Sequence, residues 1–490
     1  MPTAHTPAHP LPRWLRTVIW LGLLALAVVT VAVVTCRVVL HRQHRRVEEI
    51  RARLAGKTAR VSAVDGASGP SAGPAATGEK RRATRIRDLP EIGLFFTDLA
   101  AAEASFSELR HLMAALDTLA HRPDSLVDFR KALRMLGLPV PEVMTPQEAA
   151  AAFLEATRGA AAELARVEAA LKIGPWDWGI SPLSRRRPEA EKAPVDRLLS
   201  AAWRQEALML QAAVRVGDHA SVAARIDGLA HLVERRADMG TMEAGRAHTS
   251  AAGLYRSQGL LEAMAPGDLA HLRESLAPFD VAAVFQRTLE SEITGWEDVK
   301  SRSADLDQLA VIRLRSRKDQ FGGIDPSLIA RLVPNSVIAD NISVMQTDLA
   351  SERDRFIPGE RRYLAAPTDA KSAWQTVHED GSWLNQLYFF IAPGPDGLAG
   401  FANFAQTRTD FARLSIALEE QRRSTGQYPE SLEATAGQFG GSLPHQFLSG
   451  NPYRYQRTVD GGYRLWTDRA DPQEDVASQA RGDLFIRAGK

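Results

Sequence analysis

The sequence predicts a mainly α protein with three parts: a single N-terminal transmembrane helix, a large helical domain (a bundle or an irregular repeat-like stack), and a small C-terminal α+β module with one helix and an antiparallel sheet. Three observations predict it. The run TVIWLGLLALAVVTVAVVTC, Thr17–Cys36, carries no charge. From about Arg85 to Gly295, apolar residues recur at helical spacing. After Phe401 the pattern passes from helical spacing to short alternating aromatic segments on either side of Asp460-Gly461. At 490 residues the chain exceeds one ordinary core, so roughly two or three folding units are expected.

The N-terminal part divides into a tail, 1–16, a membrane-spanning helix, 17–40, and a juxtamembrane helix, 41–56. About 20 apolar residues at ~1.5 Å rise cross a ~30 Å hydrocarbon layer. Arg13 and Arg16 precede the run, and Arg37, Arg42, Arg45 and Arg46 follow it. The run exceeds the ~7–15 residues of a signal-peptide core and ends in no A-x-A site. VVT before Cys36 makes no lipoprotein box. An uncleaved, single-pass anchor in a lipid bilayer is the expectation. The basic residues are denser after the span, which by the positive-inside rule alone leaves the large domain in the cytoplasm.

A linker, 57–84, follows. Its stretch Ser62–Lys80 is rich in Gly, Ala, Ser and Pro and has no aromatic residue, a composition that buries too little apolar surface to offset its ordering entropy. The helical domain is read over 85–295, with a connector at 174–194. Thr145-Pro146-Gln147-Glu148 spells a capping box with proline at the first helical position. Behind it Leu154, Ala161, Leu164, Val167 and Leu171, with Phe153 beside them and Thr157 filling the gap, predict one buried helical face. Gly137 and Pro139 stop the preceding helix. Leu198–Val214 and Val222–Arg236 read as consecutive helices joined by GDHAS, followed by helices over Gly253–Met264 and Pro266–Leu276. No fixed period supports a named repeat. The stretch 296–400 is mixed, and GPDGLAG, Gly394–Gly400, reads as a loop.

In the last part, 401–490, Phe401, Phe404, Phe411, Leu414 and Leu418 form an aromatic stripe on one helix. Gly426 can take the left-handed conformation that ends it. Tyr428 then folds back and Pro429 starts a short turn. NPYRYQRT and YRLWTD flank a Val459-Asp460-Gly461-Gly462 hairpin turn, and Asp483–Ala488 supplies a last strand. A helix on such a sheet is a stable layer pair.

ALEEQRRSTGQYPESLEA followed by LPHQFLSGNPYRYQRTVDGGYRLWTD resembles the globular half of the major pseudopilin of type II secretion systems, in which a helix ends in a G-x-Y-P joint before a short-stranded sheet and an acidic loop. The likeness covers roughly Phe401–Lys490; the whole chain is similar to large bacterial envelope proteins ending in such a module. It implies attachment to the bacterial inner membrane, with the large domain on the periplasmic side. It also implies that the acidic loop DRADPQED can bind calcium, with Asp468, Asp471 and Asp475 as first candidate ligands. Calcium takes about six to eight oxygens; read from the residues alone, the stretch is a solvated acidic loop partly paired with Arg469 and Arg481. The departures are specific. Leu11-Pro12-Arg13-Trp14 offers no prepilin-peptidase signal, most of the chain separates the membrane helix from the module, and Gln446-Phe447 stands where the family has Asp-Pro. The chain therefore reads as a borrower of the module and not as a fibre subunit.

Other functions are constrained by composition and motif. Sixty basic against 59 acidic residues give a net charge of +1, which argues against nucleic acid as a partner. One cysteine, Cys36, permits no intramolecular disulfide and no Cys-rich zinc site. No phosphate-binding G-x-x-x-x-G-K-[ST], no G-x-G-x-x-G after a strand, no G-x-S-x-G and no zinc-peptidase helix around His378-Glu379 occurs. Trp176 and Trp178 in PWDWG could form a ligand platform or plug the end of a bundle. Arg185-Arg186-Arg187 could touch lipid headgroups or face Glu189 and Glu191 in a solvated loop. The expectation is a non-enzymatic anchored envelope protein that binds other envelope proteins, with no cofactor beyond the calcium candidate. The alternative is a membrane-anchored envelope hydrolase whose site is assembled from dispersed residues in 296–400.

Overall fold

The computed structural model describes residues 84–120, 127–177, 193–238, 241–255, 258–277, 279–301, 335–357, 362–363, 395–468 and 484–487. The predicted membrane helix, juxtamembrane helix, Arg185–Arg187 and most of 296–400 lie outside them. Among the described residues no helix is long and apolar enough to cross a membrane.

The described chain opens with a two-residue strand, β1 (Thr84–Arg85), and three helices, α1 (Pro90–Thr97), α2 (Leu99–Ser105) and α3 (Ser107–Ala120). Then come α4 (Phe129–Met135), α5 (Pro146–Ala156) and α6 (Arg158–Leu171). Gly137, at φ +74°, closes α4 with the 6→1 hydrogen bond from Leu138 N to Leu133 O, 3.0 Å. The capping box at α5 is complete: Glu148 N donates to Thr145 Oγ1 at 3.2 Å, and Thr145 N to Glu148 Oε2 at 2.8 Å. The continuous stripe expected behind it is broken at Thr157. That residue is buried, but its hydroxyl donates back to Phe153 O at 2.9 Å and its ψ of 13° separates α5 from α6. Such back-bonding competes with regular helix.

Strand β2 (Trp176–Asp177) pairs in parallel with β1. The central helices follow: α7 (Ala193–Val216), α8 (His219–Ala237), α9 (Thr241–Tyr255), α10 (Gln258–Ala263) and α11 (Pro266–Leu276). The α7–α8 turn is as the sequence indicates, with Gly217 at φ +74° and Asp218 capping α8 by accepting from Ser221 N at 3.1 Å. The helix expected over Gly253–Met264 is instead covered by α9, which begins at Thr241 and runs to Tyr255, and by α10, which begins at Gln258; residues 256–257 lie outside the described residues. Next come α12 (Val281–Ser301), α13 (Asn335–Asp354) and the short antiparallel pair β3 (Phe356–Ile357) and β4 (Arg362–Tyr363). The packing runs in sequence: α5 on α7, α7 on α8, α8 on α9 and α11, with α12 on α13 and α9. One apolar core threads this irregular stack from Ile86 to Phe279.

The last helix, α14 (Pro395–Thr425), is the longest of those described. Pro395–Gly400, expected as a loop, form its first turns; Pro and Asp at a helix start offset the cost of the glycines there. No residue from Ala402 to Glu419 is exposed. A helix covered on all sides lies inside a fold. Ala412 and Ile416 join the core of the stack, packed beside α9, α11 and α12. Phe411, Leu414 and Leu418 form a second core with Tyr428, Leu432, Tyr453, Tyr463 and Leu465. After a 3₁₀ helix over Leu432–Phe439 come β5 (Arg454–Arg457), β6 (Tyr463–Trp466) and β7 (Leu484–Arg487), an antiparallel sheet in that order. Gly461, at φ +81°, makes the hairpin turn.

Candidate functional site

The corner at Gly426-Gln427-Tyr428-Pro429 is built from charges on the last turns of α14. Gly426 takes φ +83°, a conformation open to glycine, and its N–H bonds Arg422 O at 2.7 Å. The chain reverses, and the Tyr428 hydroxyl donates to Glu419 Oε2 at 3.0 Å. Glu419 is fully buried and also accepts from Arg422 (2.6 Å) and Arg423 (3.1 Å). The Tyr428 ring meets Tyr463 nearly edge-on, with centroids 4.9 Å apart. Tyr455 completes the corner by donating to Pro429 O at 2.7 Å.

The same turn fastens α14 to the helical stack. Arg423 donates to Leu261 O and Met264 O, each at 2.6 Å, and to Glu262 O at 3.2 Å. These are carbonyls at the C-terminal end of α10, where a helix lacks internal donors and its dipole favours a cation. One turn back, Glu420 pairs with Arg273 of α11 at 2.7 Å. Burial raises the Glu420 carboxyl above its ordinary value despite Arg273. Higher on α14, Asp410 accepts from Gln406 Nε2 at 2.8 Å and from the Tyr453 hydroxyl at 2.9 Å, so a buried carboxylate ties the helix to the sheet.

Of the three calcium candidates, Asp468 lies within the described residues and Asp471 and Asp475 outside them. Asp468 accepts from Arg454 Nε at 2.7 Å and from Asn451 Nδ2 at 2.6 Å. Arg454 foremost, then Asn451, holds its carboxyl below the ordinary range. Its partner is thus Arg454 of β5; the arginines expected to pair with this loop, Arg469 and Arg481, lie outside the described residues. Among the described residues no group of three His, Cys, Asp or Glu is arranged to hold a metal ion.

Gln446-Phe447 have defined roles of their own. Gln446 organises the loop by donating to Pro452 O at 2.9 Å and accepting from Asp468 N at 3.2 Å. Phe447, fully buried, stacks on Phe356 and meets Phe285 edge-on, both with centroids 6.0 Å apart. This aromatic insertion joins the C-terminal stretch to α12 and β3. Trp176 is buried at 3 % exposure, its backbone N–H donating to Asp238 Oδ2 at 3.0 Å, so its ring fills the stack; Trp178 lies outside the described residues.

No protein-family model, no curated protein and no solved structure matches this chain.

Proposed function

We propose that the chain is a non-enzymatic, single-pass membrane protein of the bacterial envelope, held in the inner membrane through residues 17–40, whose helical stack and pseudopilin-like end bind other envelope proteins in an assembly linked to secretion. The uncharged run Thr17–Cys36 between two basic clusters carries this reading. The fastening of α14 by Arg423, Glu420 and Phe447 supports it, because it makes the C-terminal sheet a rigid outgrowth of the stack. With Ala402–Glu419 of α14 free of exposed residues, that stretch offers no open face for packing into a fibre, which supports adaptor use of the module over polymerisation. The large domain is placed on the periplasmic side by the resemblance alone, against the arginine count after the span.

Cell fractionation tests the anchor. The full-length chain is expected in the membrane fraction after a high-salt wash, and a chain lacking residues 1–40 in the soluble fraction. Recovery of the intact chain without detergent overturns the proposal. A reporter active on one side of the membrane, fused after Lys490, assigns the side; activity of a cytoplasm-only reporter there reverses the orientation.

A further inference from the structure

Three helices of the stack meet at a set of charges that does not balance. Glu168 on α6 and Glu206 on α7 both accept from Nη1 of Arg225 on α8, at 3.2 and 2.7 Å. The Glu206 side chain has no exposure to solvent, whereas Glu168 and Arg225 each retain 18 %. The second oxygen of Glu206, Oε2, is buried without a hydrogen-bond partner. Gly228 of α8 lets the group assemble: a methyl group there would stand 2.9 Å from Glu168 Oε1 and 3.4 Å from Glu206 Cδ. From α9, Tyr255 faces the cluster fully buried, and burial, Glu206 and Asp227 in that order keep its phenol protonated. Among the described residues, the ionisable groups that act on Glu206 or on Tyr255 beside it are Glu168, Arg225 and Asp227 of α8. Asp227 has its own partner, His271 Nε2 at 2.9 Å.

With both glutamates ionised, two carboxylates share one guanidinium, and one of the two, Glu206, carries its charge where water cannot reach. A buried, unpaired charge is among the costliest features a fold can carry, and a group so placed neutralises instead. Two carboxyl groups competing for one counter-ion commonly hold a proton between them. We propose that Glu168, Glu206 and Arg225 form a single-proton site in which the two carboxyl groups hold one proton beside the guanidinium at neutral pH, and that its loss as pH rises weakens the packing of α6 and α8 on α7.

Burial first, then the adjacent Glu168, pushes the Glu206 carboxyl well above its ordinary 4.5, with Arg225 opposing. A folded-state value above the unfolded one gives stabilisation that is complete below about 4.5 and is lost as pH climbs to the folded value. One proton changes the folding constant by up to about tenfold per pH unit.

The test is urea unfolding of the full-length chain in detergent between pH 5 and 8, for the wild type, Glu206→Gln and Glu168→Gln. Glu206→Gln fixes the neutral form in place. Glu168→Gln leaves one carboxylate for one guanidinium and removes the competing carboxyl, while the burial of Glu206 remains. Relative to Glu206→Gln, the folding constant of the wild type is expected to fall as pH rises from 5 to 8, by up to about tenfold per unit, and relative to Glu168→Gln to fall by less. Should Glu206→Gln fail to fold, Glu168→Gln decides alone. A ratio to Glu168→Gln that stays flat over this range overturns the site.

Discussion

His248, on α9, offers a titration with the opposite sign and a magnitude that follows from its surroundings. The imidazole is buried at 3 % exposure, its Nδ1 has no hydrogen-bond partner, and its ring meets Phe279 edge-on with centroids 5.0 Å apart. Burial lowers its pKa from 6.5 to about 4, and the charge of Asp280 offsets only part of the shift. Here the folded value lies below the unfolded one. Stability is therefore complete above pH 6.5 and declines as pH falls toward 4, because the unfolded chain takes up a proton that the folded chain refuses. Between pH 7 and 5 this reduces the folding constant by about 20- to 30-fold, or about 2 kcal/mol.

The perturbation is His248→Leu, close in volume and without a charge to gain. Removing an unpartnered buried nitrogen keeps the cost at pH 7 within about 1–2 kcal/mol. Urea unfolding of the full-length chain in detergent, followed by tryptophan fluorescence, is the assay; Trp176, Trp203 and Trp296 are all buried and report loss of packing. The stability difference between wild type and variant is expected to move by about 2 kcal/mol in the variant's favour from pH 7 to 5. A movement under about 0.5 kcal/mol refutes the argument that burial governs this imidazole. The raised Glu206 carboxyl acts in the reverse sense, so the wild type is expected to show a flatter pH profile than His248→Leu or Glu206→Gln.

Arg423→Met removes three hydrogen bonds to the end of α10 and one partner of Glu419; a loss of about 2–3 kcal/mol in urea unfolding is expected. Wild-type stability after that substitution would show that α14 is held by its apolar faces alone. Asp468 is already engaged by Arg454 and Asn451. Adding calcium to about 1 mM, a range that weak extracellular sites require, is therefore expected to leave the melting temperature unchanged relative to EDTA, and a rise of several degrees would instead support a calcium loop at 468–475.

Much of the helical architecture was legible wherever a local rule applied. The capping box at Thr145, the left-handed glycines at 137, 217 and 426, and the Asp460-Gly461 turn each depend on residues within a few positions of one another. The start of α14 was not legible, because Pro395–Gly400 carries two glycines and little apolar character, and a helix buried on every side shows no polar face to set its period. Thr157 looked like a member of a stripe because its methyl suits one, and it is buried; the change of backbone at its ψ of 13°, which separates α5 from α6, leaves no mark on spacing. The polar contacts were the least legible. Arg423 finds Leu261 O across 162 positions of chain, and Arg225 joins Glu168 and Glu206 from 57 and 19 positions away. Glu419 and Arg423, four apart, looked like a helix-end pair, which they are, but nothing in the sequence pointed to the carbonyls beyond them.

The placement of α14 constrains how the C-terminal end can be used. Its sheet cannot be lifted away without uncovering Phe411, Leu414 and Leu418, and the helix cannot leave the stack without uncovering Ala412 and Ile416. Fully burying a large apolar side chain contributes roughly 1.5–3 kcal/mol, so lifting the sheet costs about three times that amount, and freeing the helix from the stack costs about that amount for Ile416 and less for Ala412, before the Arg423 and Glu420 contacts are counted. A partner that binds this end therefore meets it attached to the stack, through parts that leave both cores intact. The hairpin tip at Val459 is fully exposed, and the outer residues of β5, Arg454 and Gln456, face solvent. Recognition there would transmit force or position through α14 directly to α9, α11 and α12, the helices packed along it. A detachable module on a linker would transmit neither, and this rigid coupling is the physical reason to favour the proposed assembly role, in which the sheet is presented at a fixed orientation on the helical stack.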